Sequence, residues 1–184
     1  MDCRLAAYPY TVDNRAQIIT FVMLDFDLNN FKYSRQKLER GLNKNLNSLK
    51  SEFKIYPTVI WSGNGYHVLI PIEPYQRLLE DIPEFAKFTE PSKKIFRYLE
   101  KHLSNGKSDT VHNSTISFGN CMLRVPGSFN SKYSNNEQVK VIKEWNGQRL
   151  NIKPLMGDFL AYLLDEQNKK KYSYSQYGNL LSKP

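Results

Sequence analysis

The stretch QIITFVMLDFD, residues 17–27, decides how the rest of the chain is read. From Gln17 to Phe26 it is apolar and β-branched on both alternation faces, the composition of a central strand covered on both sides. Asp25 and Asp27 stand at i and i+2 at its end, so on a strand they point to one face and converge. Two like charges so close are costly to bury unless a cation neutralises them, and hard carboxylate oxygens suit Mg2+ or Mn2+. Two such ions about 3.5–4 Å apart stabilise the attacking and leaving oxygens of a phosphoryl displacement. The plainer alternative is that both aspartates end the strand and are solvated, since aspartate is common in turns.

Outward from this run, Ser34 is an N-cap for an amphipathic helix whose apolar positions, Leu38, Leu42, Leu46, Leu49 and Phe53, recur at helical spacing. Gly41 inside it costs about 1 kcal/mol relative to Ala. After Pro57, Thr58–Trp61 and Tyr66–Ile72 read as two strands around the turn SGNG, a hairpin. Residues 83–103 are helical again, with Phe85, Phe88, Ile95, Phe96, Leu99 and Leu103 buried, a break at Pro91 and Asn105-Gly106 as the stop. Residues 107–136 have little periodicity apart from a strand candidate at Cys121–Val125. Gln138–Trp145 alternates as a strand with one wet face, and Leu155–Leu164 is a closing helix. Residues 1–165 thus read as one domain, and residues 166–184, with Lys169, Lys170 and Lys171, as a polar tail or linker.

Twenty-six Lys and Arg against 18 Asp and Glu give the 184-residue chain a charge of +8, which favours polyanions such as nucleic acid or nucleotides. Cys3 and Cys121 are the two cysteines, and neither sits in a CxxC pair. A disulfide framework and a cysteine zinc site are therefore not expected, and a reducing, cytoplasmic setting is. No stretch approaches the roughly 20 apolar residues that span a bilayer, so no membrane partner is expected.

Two further constellations follow the acidic pair. In WSGNGYH, residues 61–67, a glycine-bearing turn lies between apolar strands with His67 just inside the second, so backbone N–H groups and the imidazole can approach phosphate oxygens. In residues 122–132, MLRVPGSFNSK, Arg124 and Lys132 flank a short turn and can meet at one anionic group, while Asp109 upstream can complete a carboxylate cluster. Taken singly, each of these is an ordinary surface residue.

Taken in order, LDFD (24–27), SGNGYH (62–67), SD (108–109) and RVPGSFNSK (124–132) resemble the motifs of the archaeo-eukaryotic primase superfamily, particularly the primase-polymerases of archaea, plasmids and viruses. The match spans about residues 20–135. The resemblance implies an α+β fold, a mixed sheet with an RNA-recognition-motif-like core flanked by helices. It implies that Asp25, Asp27 and Asp109 ligate two metal ions, Mg2+ or Mn2+. By the same resemblance His67, with Ser62 and Gly65 of its turn, touches the phosphates of the incoming nucleotide, and Arg124 and Lys132 bind its triphosphate. One departure is that the small residue two before the histidine, often Ser in the family, is Gly65; Asp81 competes with Asp109 for the third carboxylate.

The activity implied is template-directed nucleotidyl transfer: a DNA primase or polymerase that makes or extends primers on single-stranded DNA from nucleoside triphosphates. Lys93, Lys94 and Lys140 are candidates for template contact. Residues after 165 are too few for a second nucleotide site, so a C-terminal helper domain, a helicase or another replication protein is an expected partner. The competing reading is a non-catalytic module that holds single-stranded nucleic acid at a replication origin. A relaxase-type nuclease fits less well, because His67, His102 and His112 lack His-x-His spacing.

Overall fold

A computed structural model describes residues 1–8, 19–75, 81–107, 122–131 and 136–181 of the chain. The elements in order are β1 (Arg4–Ala6), β2 (Ile19–Asp27), α1 (Arg35–Phe53), β3 (Thr58–Trp61), β4 (Gly65–Tyr75), α2 (Pro83–Ala86), α3 (Pro91–Leu103), β5 (Met122–Arg124), β6 (Phe129–Asn130), β7 (Glu137–Gln138), β8 (Lys140–Lys143) and α4 (Lys153–Leu181). The fold is α+β, as expected, but in place of the expected mixed sheet every strand pair among the described residues is antiparallel. Its main sheet is antiparallel in the order β2-β4-β3-β8, with two short pairs, β1-β5 and β6-β7, beside it.

Alternation along β2 and β4 separates the two faces of this sheet. Val22, Leu24 and Phe26 of β2, with Val68 and Ile70 of β4, are fully buried against Leu38, Leu42, Leu46 and Leu49 of α1 and Ile95, Leu99 and Leu103 of α3. Each such side chain contributes about 1.5–3 kcal/mol relative to exposure. The helices therefore cover one face. Ser34 caps α1 as its sequence suggests, its hydroxyl accepting from the Lys37 N–H. Gly41 has a spatial reason: a Cβ there would come within 2.6 Å of the Phe31 ring. Buried Asn45 of α1 donates to the Leu103 carbonyl at 2.6 Å, satisfying the end of α3 from a neighbouring helix.

On the second face the N-terminal segment lies over the start of β2. The Tyr8 ring stacks on Phe21 with centroids 5.1 Å apart, and its hydroxyl accepts from the Met23 N–H at 2.8 Å. Further along β2, this face carries Asp25 and Asp27.

The expected break at Pro91 divides α2 from α3. Phe85 is buried and Phe88 partly so, while the side chain of Phe96 lies outside the described set. Two boundaries differ from expectation. The alternating run from Gln138 is divided, because Val139 turns into the core between β7 and β8. The closing helix does not stop at Leu164: α4 continues to Leu181 through polar residues whose apolar periodicity has ended. No helix among the described residues is long and apolar enough to cross a membrane.

Candidate functional site

The β2–β4 register joins two of the sequence constellations directly. In the antiparallel pairing of β2 with β4, Asp25 is the partner of His67 and Asp27 the partner of Gly65. The acidic pair and the glycine-turn histidine are thus cross-strand neighbours on one face, whose side chains sit about 4.5–5.5 Å apart at Cβ. His67 Nε2 lies 3.9 Å from Asp25 Oδ1, with the histidine side chain 7% exposed and the aspartate 25%.

Gly65 is required by this register. A Cβ at that position would collide with the carbonyl oxygen of Phe26, so β2 passes too close for any side chain. Ser62, also buried, closes the turn by donating its N–H to the Gly65 carbonyl at 2.9 Å. Gly63 adopts φ +88°, a backbone conformation that side chains disfavour.

The third block reaches the same turn. Buried Asn130 donates from Nδ2 to the Ser62 carbonyl at 2.8 Å, tying the end of the Arg124–Ser131 run to the hairpin. Arg124, 6% exposed, is close enough that its charge acts on His67. Burial pushes the imidazole down to about 4, and the Arg124 guanidinium adds to the effect, so the ring is neutral at pH 7. Its contact with Asp25 is therefore not an ion pair. His67 Nδ1 is buried and, among the described residues, has no hydrogen-bond partner. A buried polar atom left without a partner is costly, and it is the kind of feature a ligand relieves.

Asp25 and Asp27 are not equivalent. Asp27 Oδ1 accepts from the Asn29 N–H at 2.9 Å and from Asn64 Nδ2 at 3.1 Å, capping the 3-10 turn Leu28–Phe31. Both of these bonds end on one oxygen, so among the described residues Oδ2 keeps its lone pairs for another partner. Two carboxylates on one face, each partly exposed, suit a hard divalent cation that completes its shell with water or phosphate oxygens. Among the described residues no group of three or more potential ligands gathers at one point.

Of the other expected site residues, Asp109 and Lys132 lie outside the described residues, and Asp81 is exposed just ahead of α2. The template candidates are dispersed. Lys140 is exposed on β8, at the sheet edge, whereas Lys94 lines a groove of about 890 Å³ between α3 and α4; the side chain of Lys93 is outside the described set. That groove also presents Lys87, Arg97, Lys101 and the rings of Tyr98 and Tyr162.

Sequence reasoning missed several residues at the site. Asn130 lies inside the RVPGSFNSK run but was given no role there. Asp2 and Arg4 carry no local signal at all: β1 pairs with β5 in a register that sets Arg4 against Arg124 across more than a hundred residues of chain. Comparison with known proteins finds no matching family model, and no curated protein or solved structure that matches the chain.

Proposed function

We propose that the chain is a metal-dependent, template-directed nucleotidyltransferase, a DNA primase or polymerase domain with an RNA-recognition-motif-like core. One observation carries this reading: the register that sets Asp25 opposite His67 and Asp27 opposite Gly65, with the Arg124 charge acting on His67. Two motifs far apart in sequence, LDFD and SGNGYH, thereby meet on one face, which supports the reading. The β-α-β-β-α succession of β2, α1, β3, β4 and α3, with both helices on one face, is further support.

In this reading Asp25 and Asp27, with Asp109 by resemblance, hold the cation. Bound there, Mg2+ or Mn2+ lowers the charge on the nucleotide's triphosphate and favours the primer 3′-oxygen as nucleophile. The protein itself contributes position and charge. His67, neutral, offers a ring nitrogen to a phosphate oxygen or hydroxyl. Arg124 and Lys132 take the phosphates, so that when the 3′-oxygen bonds to the α-phosphorus and the α,β-bridging oxygen departs, the negative charge gathering on pyrophosphate meets a fixed cation.

The test is incubation with single-stranded DNA template, Mg2+ or Mn2+ and labelled ribo- or deoxynucleotides, with and without primer. Metal-dependent incorporation is expected, with His67→Ala and Arg124→Ala chiefly raising the nucleotide KM. Absence of incorporation under every combination overturns the reading. The groove between α3 and α4 favours a second one, a non-catalytic module for single-stranded nucleic acid, because cations and ring faces are its means of holding a strand. Strand binding indifferent to divalent metal, without incorporation, selects it.

A further inference from the structure

The carboxylate of Asp2 sits in a nest of donors that belongs chemically to a phosphate. Arg124 Nη1 donates to Asp2 Oδ1 at 2.6 Å, Arg4 donates from Nε and Nη2 at 3.4 and 3.3 Å, and Ser131 Oγ donates to Oδ2 at 3.0 Å. Two guanidinium groups and a hydroxyl converging on one anion is the donor set that recognises phosphate oxygens. Arg124 is buried, and among the described residues Asp2 is its sole ion-pair partner. A buried guanidinium without a counter-charge is strongly destabilising, so whatever removes Asp2 must supply another anion.

The segment carrying Asp2 is lightly held. β1 has three residues, all exposed, and residues 1–3 add backbone bonds from the Val125 N–H to the Cys3 carbonyl and from the Phe129 N–H to the Met1 carbonyl, each 3.1 Å. Asp2 thus lies on the very run, Arg124–Ser131, whose first residue is assigned to the triphosphate.

We propose that the Asp2 carboxylate stands in for a nucleotide phosphate in the free protein, and that Arg4 and Ser131 join Arg124 in holding that phosphate once Asp2 is displaced. This rests on the nucleotide reading of Arg124 given above. The ligand class is a nucleoside triphosphate bound through its phosphates. Asp2 competes with it for the same donors, so the affinity of the free protein is reduced by the fraction of molecules in which the carboxylate is seated.

Calorimetric titration with inorganic triphosphate, in the absence of divalent metal, tests this on the full chain. Asp2→Asn is expected to bind about tenfold tighter than the unaltered protein. Adding Arg4→Gln or Ser131→Ala to Asp2→Asn is expected to weaken binding by about threefold or more each. Affinity unchanged or weakened by Asp2→Asn overturns the proposal, as does indifference of the Asp2→Asn protein to both further changes.

A measurement that leaves the donor cluster intact guards against misfolding of these variants. A fluorophore on exposed Cys3, in a Cys121→Ser background, is expected to change its emission as triphosphate takes the place of the neighbouring carboxylate. Constant emission at saturating triphosphate overturns the displacement. Incorporation measured in parallel separates the two claims. Lost incorporation with these anion effects intact removes nucleotidyl transfer and keeps the phosphate site. Metal-dependent incorporation with triphosphate affinity indifferent to Asp2 does the reverse.

Discussion

The two faces of the β2–β4 pair are built from alternating residues of the same two segments, yet their contents differ completely. One face is predominantly hydrocarbon, with Val22, Leu24, Phe26, Val68 and Ile70 pressed under α1 and α3. The other begins as core, with Met23 buried beneath Tyr8, and ends in two carboxylates and a neutral imidazole. Because side chains alternate with a period of two, a one-residue slip in register would exchange these faces, so the apolar face fixes the position of the polar one. The fold is held on one side and the titratable side chains are displayed on the other.

Substitutions on the two faces should therefore separate stability from activity. The largest effect on folding is expected at Phe26, where Phe26→Ala should cost about 3–5 kcal/mol in denaturant unfolding, since the ring is fully buried. A cost below about 1 kcal/mol would mean the helix-covered face is not the core.

Acid should act on the opposite face. The folded state holds the His67 imidazole at about 4 against an ordinary 6.5, so it favours the neutral ring. Its contribution is fully present above pH 6.5 and is lost as pH falls toward 4, a difference of about 3 kcal/mol. His67→Gln should flatten unfolding free energy across that window. Asp2, whose carboxyl Arg4 and Arg124 hold well below the usual range, loses its contribution only below the ordinary carboxylate value of 3.8, so the two windows are distinct.

At Asp25, Asp25→Ala should reduce incorporation by about 100-fold or more with little change in unfolding midpoint. Full activity would remove the metal role from this face. Asp27 sharpens the comparison further, because it also caps a turn: Asp27→Ala should cost about 1 kcal/mol of stability in addition to activity, measurable by the same unfolding experiment. Equal stability of the two variants would contradict the capping role.

Much of the apolar face is visible in the sequence, and the reason is local. β3 matches its expected span, β2 and β4 lie within a few residues of theirs, and Ser34 caps α1, because each signal is contained within one segment. The pairing of Asp25 with His67 is not local: α1 and β3 lie between β2 and β4 in the chain, so it follows from the sheet order and not from the β3–β4 hairpin. What escapes is contact at a distance. Three exposed residues, Arg4–Ala6, have no periodicity to announce a strand, and nothing near Arg124 in sequence points to Asp2. Asn130 escapes for a related reason: it meets the Ser62 carbonyl through tertiary structure alone. The continuation of α4 past Leu164 is missed because a polar helix lacks the apolar stripe by which helices are read.

The central claim is that the polar face of β2–β4 holds a divalent cation, and Mn2+ titration followed by electron paramagnetic resonance tests it most directly. Asp25→Asn combined with Asp27→Asn is expected to weaken Mn2+ binding by about tenfold or more while the protein remains folded. Mn2+ affinity unchanged in that folded double variant would contradict the claim.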